Sequence, residues 1–273
     1  SSYTLSIPDS VQKIGKYAFY HWKGISPLNL GTGLTEIGDY SFCECTSTSY
    51  SQIEFPESLT KIGQYAFYKC EFISSVSFQN KLKEIGNYAF ADCPYLGNTL
   101  ALPNSLTTLG IASFKNSNIR GELTIPEAIK IIPGYAFYDC SLTKLIFNEN
   151  IREIGEYAFY HEKGSNKNTI SQKLIIPHTV ELIGDYAFYN CVDISKLNLS
   201  YSLREIGSHA FDNCYSIKSD ITIPNLVTKI GDSAFYNCYG AEYLVFGRNV
   251  ESIGKEPFIA ALVVMVRWFS QIP

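Results

Sequence analysis

The sequence predicts an α/β-type repeat solenoid: a right-handed superhelix with a parallel β-sheet on its concave side and short helical or turn segments on its convex side. Three observations predict it. A phrase close to Ile-Gly-x-Tyr-Ala-Phe-Tyr-x-Cys recurs, complete at Ile62 to Cys70 and again at Ile183 to Cys191. Each copy follows a short apolar phrase of the form Leu-x-Ile-Pro, as in Leu5-Ser6-Ile7-Pro8. The copies are spaced by roughly 23 residues, and a fixed period of that length marks stacked units, each too small to bury a core alone.

The first unit runs through Leu5, Ile7, Val11, Ile14-Gly15 and Tyr17-Ala18-Phe19, and the second through Leu28, Leu30, Leu34, Ile37-Gly38 and Tyr40-Ser41-Phe42 to Cys45. The third ends at Cys70 and the fourth at Cys93. The fifth is degenerate, with Ser117 at the Cys position; the sixth has Pro133 at the Gly position; the seventh has Glu162 for Cys. The eighth to tenth end at Cys191, Cys214 and Cys238, and the eleventh decays after Ile253-Gly254. In Leu-x-Ile the two apolar residues share one face of a strand, and successive strands at ~4.8 Å would stack into a parallel sheet. Pro8, Pro56, Pro103, Pro126, Pro177 and Pro224 close six of them, since proline lacks the ladder N–H. Val11, Ile14 and Ala18 recur at i, i+3, i+7, which predicts a short helical or turn-like stripe facing the sheet. Gly15 and its equivalents are expected at positive φ or in a tight corner. The Phe position is filled in all eleven units, which predicts an aromatic ladder inside the coils.

The pattern L-x-I-P-x-S-V-x-x-I-G-x-x-A-F-x-x-C resembles the BspA-like class of leucine-rich repeat, from Leu5 to about Phe258. The resemblance implies the solenoid just described. It also implies display at the cell surface or outside the cell, and adhesion to host extracellular-matrix proteins or other cells. The expected function is therefore a non-enzymatic protein-binding or adhesion module, acting as a monomer on a protein or glycan ligand. The alternative is an intracellular or structural scaffold that organises protein partners in the cytoplasm. Repeat families share a scaffold and differ in partner, so the resemblance names no ligand.

Residues 1–258 are expected to form the solenoid and 259–273 a non-repeat apolar tail. The region from Ala112 to Pro133, where the repeat is most degenerate, is expected to bend without dividing domains. The chain opens inside a strand phrase without signal-peptide features, which reads as a segment of a longer protein whose N-terminal cap lies elsewhere. The run Ile259 to Val266 is too short to span a bilayer. It is open between an element covering the last coil and the start of a membrane anchor, with Arg267 and Trp268 suited to an interface.

A formal charge of −4 gives no electrostatic case for nucleic acid. No nucleophile elbow, HExxH or phosphate-binding glycine loop is present, so no catalytic residue, metal ligand or cofactor site is assigned. Seven of the eight cysteines share one repeat position, and Cys43-x-Cys45 is the one close pair. They read as buried free thiols rather than a disulfide or zinc framework. The recurring tyrosines, such as Tyr65 and Tyr68, read either as rings packed along neighbouring coils or as a binding rim. The connections Thr46 to Gln52 and His161 to Gln172 exceed the rest, and the second is expected to be mobile. Asn198-Leu199-Ser200 is a glycosylation sequon on a predicted strand. On the sheet's outer face, units seven to nine carry Lys144, Lys173 and Lys196 beside Ile146 and Ile175. This strip is the candidate partner-binding site, because like charges on adjacent strands cost stability and neutral drift is the competing explanation.

Overall fold

The computed structural model describes residues 3–97, 99–165, 167, 169–171, 173–241, 243–258 and 265–268. They form coils of a parallel β-solenoid in two compact units, Ser1–Ile129 with Tyr135–Ser141 and Lys130–Gly134 with Leu142–Pro273.

A typical coil contributes two strands rather than one. The expected Leu-x-Ile strand is present, for example at Ser51–Glu54, Lys173–Ile175 and Tyr243–Phe246. A second strand of two residues ends on the Ile or Leu before the glycine of the repeat, or before Pro133 where proline replaces it. These short strands make the longest ladders. Five pair in sequence in the first unit, from Lys13–Ile14 to Thr108–Leu109. Six pair in the second, from Ile131–Ile132 to Ser252–Ile253. Ile14 and its equivalents therefore belong to a sheet, not to a helical stripe.

The helical segments expected opposite the sheet are replaced by turns; no helix is formed among the described residues. The hydrogen bonds give the reason. From Gly63 to Cys70 alternate amides leave the coil: Tyr65, Phe67 and Lys69 donate to Asn87, Ala89 and Ala91 of the next coil at 2.8, 2.8 and 2.9 Å. The intervening amides of Ala66, Tyr68 and Cys70 close three-residue turns. An α-helix would need every one of these donors within the segment. The alternation is achieved by two left-handed residues per turn, here Tyr65 at φ 53° and Lys69 at φ 51°. Asn190, Asn213 and Asn237 hold the second position in later coils, a residue type that tolerates this region.

The expectation of positive φ at the glycine is thus corrected: the tyrosine two residues on carries it. The glycine answers to proximity instead. A Cβ on Gly207 would lie 2.5 Å from the Asp185 nitrogen of the preceding coil, so the coils could not close onto each other. At Gly15, in the first coil, nothing lies within 4 Å.

Inside each unit the phenylalanines stack as expected. Phe19, Phe42, Phe67 and Phe90 lie at successive centroid distances of 4.9, 5.1 and 5.2 Å; Phe159, Phe188, Phe211 and Phe235 lie at 5.3, 5.3 and 5.4 Å. All eight cysteines are buried and none is in a disulfide. At the repeat position each thiol donates to the Phe carbonyl of the preceding coil, as Cys70 does to Phe42 and Cys93 to Phe67 at 3.0 Å. Ser117 makes the same bond to Phe90, which explains how serine stands in for cysteine there. Of the tail, Met265–Trp268 extends the sheet by pairing in parallel with Tyr243–Phe246. Residues 259–264 lie outside the described residues, and no described helix is long and apolar enough to cross a membrane.

Candidate functional site

The five strip residues all lie in the second unit on the outward side of Leu-x-Ile strands. Lys144, Lys173 and Lys196 are exposed, while Leu145, Leu174 and Leu197 between their neighbours are buried. Lys173 and Lys196 stand directly opposite each other on the paired strands Lys173–Ile175 and Lys196–Asn198. Neither has an ion pair among the described residues. Ile175 is 55% exposed and Ile146 36%.

Elsewhere the chain places opposite charges across its coils. Lys13 meets Glu36 at 2.9 Å, Lys61 meets Glu84 at 3.1 Å and Lys229 meets Glu205 at 2.6 Å. Its hydrogen bond to the Glu84 carboxylate holds the Lys61 ammonium above its ordinary pKa. Against that habit, Lys173 and Lys196 stand face to face on paired outer strands without an ion pair among the described residues.

The outer sheet also differs from the inner ladder in being interrupted, and the connector lengths say where. Strands pair where the first apolar strand residue follows the Cys position by five or six, as Leu145 follows Cys140, Leu197 follows Cys191 and Val76 follows Cys70. The interval is eight from Cys45 to Ile53, twelve from Glu162 to Leu174 and seven from Cys214 to Ile221. At each of these three places the ladder breaks. From Cys93 to Leu100 it is also seven, and Leu100 to Leu102 form no strand. Extra residues carry the incoming strand past hydrogen-bonding register, and the gap opens to solvent.

Three clefts result. One of about 360 Å³ lies between Leu28 to Leu30 and Gln52 and Glu54 in the first unit. In the second unit, one of about 330 Å³ is lined by Lys144, Ile146, Lys173 and Ile175. A larger one of about 800 Å³ lies between Lys196 to Leu199 and Lys218 to Thr222. The strip thus flanks two openings in the sheet. Sequence reasoning found the strip and the two longest connections. It missed Tyr201 and Lys218, whose one signal is a single added residue between Cys214 and Ile221.

The tyrosine rim is packed along the coils. Tyr17, Tyr40, Tyr65 and Tyr88 stack at 5.0, 4.8 and 4.7 Å, and desolvation pushes the Tyr65 phenol upward. Such a surface offers ring edges rather than open faces. In the His161 to Gln172 connection, His161, Thr169 and Ile170 are buried, and Thr169 donates to Asp193 at 2.7 Å. That end of the connection is anchored; residues 166, 168 and 172 lie outside the described ones. Asn198, of the sequon, lies on a paired strand. No group of three metal-ligating side chains is found among the described residues.

A family model described as BspA type leucine rich repeat region matches in six copies, over residues 1–120, 98–174 and 162–265. A comparison with curated protein sequences gives no match. Among solved structures the chain resembles a leucine-rich repeat protein from Bacteroides ovatus, at 21% identity and a TM-score of 0.60, over 93% of this chain and 71% of that one. It also resembles the pneumococcal vaccine antigen PcpA, at 20% identity and a TM-score of 0.55, over 92% of this chain and 65% of that one. At these identities the likeness is one of fold.

Proposed function

Because the chain belongs to the BspA-type leucine-rich repeat family, we propose that it is a non-enzymatic binding module, displayed at the cell surface, that holds an acidic protein segment or glycan on its outer strands. The observation that carries this reading is the lysine pair Lys173 and Lys196, opposed on adjacent strands without an ion pair among the described residues. Such an arrangement costs stability in the free protein and is relieved when an anion bridges it. Lys144 extends the row by one coil, and the half-exposed Ile146 and Ile175 supply dry contact beside it. Surface display is supported by the family and by its likeness to a vaccine antigen of pneumococcus.

The test is retention on immobilised heparin and on poly-glutamate, before and after changing Lys144, Lys173 and Lys196 together to Glu. Retention that falls with salt and disappears in the triple variant, with an unchanged melting temperature, supports the strip. Retention equal in both proteins removes it. A cytoplasmic scaffold is the second reading, favoured by eight cysteines of which none is in a disulfide. Protease treatment of intact cells separates the two: a surface protein is cleaved and a cytoplasmic one is spared.

A further inference from the structure

The cleft between the strands Lys196–Asn198 and Ile221–Thr222 has features that the lysine strip does not explain. Its edge is open: no backbone bond joins 196–199 to 219–222, and the last bond before the break runs from the Lys218 amide to the Ser195 carbonyl. Two ammonium groups, Lys196 and Lys218, and one carboxylate, Asp220, line it without an ion pair among the described residues. The Ser219 hydroxyl is buried there with no hydrogen-bond partner among the described residues. Buried polar atoms are normally satisfied, and each exception calls for a reason. At the rim Tyr201 is 68% exposed. One side of its ring is held by His178, stacked at 5.7 Å, which is itself fixed by Glu149 at 2.8 Å. The Tyr201 ring is therefore a supported platform, unlike the rings of the packed tyrosine ladder.

We propose that this cleft is a subsite for an acidic pyranose, the charged sugar unit of a carboxylated or sulfated glycan. The acid group sits between the Lys196 and Lys218 ammoniums. Sugar hydroxyls donate to the Asp220 carboxylate and bond with the Ser219 hydroxyl and the Asn198 amide. The apolar face of the ring lies on Tyr201. The volume of about 800 Å³ is that of a small-molecule site. A peptide added as a strand is excluded by width. It would need about two strand spacings, ~9.6 Å, whereas Cα atoms of the two strands come within 8 Å of each other. The cleft shares Lys196 with the strip, but Lys144, Ile146, Lys173 and Ile175 lie outside it, so changes at Lys218 and Tyr201 test the cleft while changes at Lys144 and Lys173 test the strip.

The experiment is titration of the full chain, by calorimetry and saturation-transfer NMR, with methyl glucuronide, glucose 6-sulfate and uncharged methyl glucoside. An acidic probe is expected to bind at least about tenfold more tightly than the glucoside, since charge-assisted bonds are the stronger ones. Lys218→Glu should abolish the difference, and Tyr201→Ala should remove the saturation transfer from the aromatic region. Lys144→Glu with Lys173→Glu should change neither. Should Lys218→Glu lower the melting temperature, Asn198→Ala replaces it, with a loss of several-fold expected. Failure of both acidic probes to bind overturns the proposal, as does equal binding of all three sugars or binding indifferent to both variants. A hexaglutamate peptide that binds where the sugars do not overturns it in favour of a peptide carboxylate.

Discussion

Phe188 shows how a single residue is used in this fold. It is fully buried and stacked on both sides, on Phe159 and Phe211. Phe188→Ala should cost about 3–5 kcal/mol of unfolding free energy, the range for truncating a buried aromatic ring. Tyr189→Ala, next in sequence and only partly buried, should cost clearly less in the same denaturation assay. Equal losses would mean that inside and outside are wrongly assigned. Gly207 and Gly15 make a second contrast. Gly207→Ala forces a Cβ to 2.5 Å from backbone and should cost on the order of 2–4 kcal/mol, while Gly15→Ala has open space and should be close to neutral. The thiols add a pH dependence. Burial pushes Cys93 up to about 12 from an ordinary 9.0, and raises Cys191, Cys214 and Cys238 as well. The folded state thus holds these protons more tightly than the unfolded chain. Their contribution is complete below pH 9 and is lost as pH rises from there through the folded values. Unfolding free energy should therefore fall steeply above about pH 9, by up to ~1.4 kcal/mol per pH unit for each thiol. A flat profile between pH 9 and 11 in urea titrations would contradict the burial of the sulfurs. The Phe and Cys positions were legible in the sequence because one residue type serves one place in every coil. The left-handed tyrosines were not legible, because tyrosine has no intrinsic preference for that region and is held there by its amide bond to the next coil.

At the scale of the element, the two ladders respond differently to connector length. The Ile-Gly ladder is continuous within each unit, since the path from strand to glycine keeps one length. The outer ladder breaks wherever the interval from Cys to strand exceeds six. Deleting Ser219 should restore the interval and let Ile221–Thr222 pair with Lys196–Asn198. Hydrogen exchange at the Leu199 amide, now without a partner in the next coil, should slow by orders of magnitude. An amide that exchanges as fast after the deletion as before would show that connector length does not set the pairing. The outer strands themselves were readable from alternation. The inner two-residue strands were not, because a lone Ile before Gly has no period of its own and gains strand geometry only from its neighbour. The strip was found by reading two outward columns. The larger cleft escaped because a one-residue insertion changes no residue pattern, only a count.

For the whole chain, stability should be distributed as in other stacked arrays, coil by coil with nearest-neighbour terms. The terminal phenylalanines, Phe19 and Phe258, are only partly buried, whereas the nine between them are buried. Phe19→Ala should accordingly destabilise less than Phe188→Ala. Amide protection measured by native-state exchange should rise from the first coil inward, and uniform protection from Tyr17 to Cys93 would rule out this gradient. The repeat made the architecture readable at this scale before any single residue was understood, since eleven imperfect copies average out local exceptions. The partner is not readable in the same way, because it is written in outward positions that the repeat leaves free.

The break after Lys196–Asn198 bears on how such a gene can change. Most routes to a new pocket carve it from side chains and weaken the packing that surrounds them. Here one in-frame triplet in a connector opens a solvent-facing cleft, while the Phe stack and the inner ladder on either side stay closed. Gain or loss of single codons, rather than substitution, would then be a cheap source of new recognition surfaces. The marks of that history are to be sought in the lengths between Cys and strand rather than in the residues themselves.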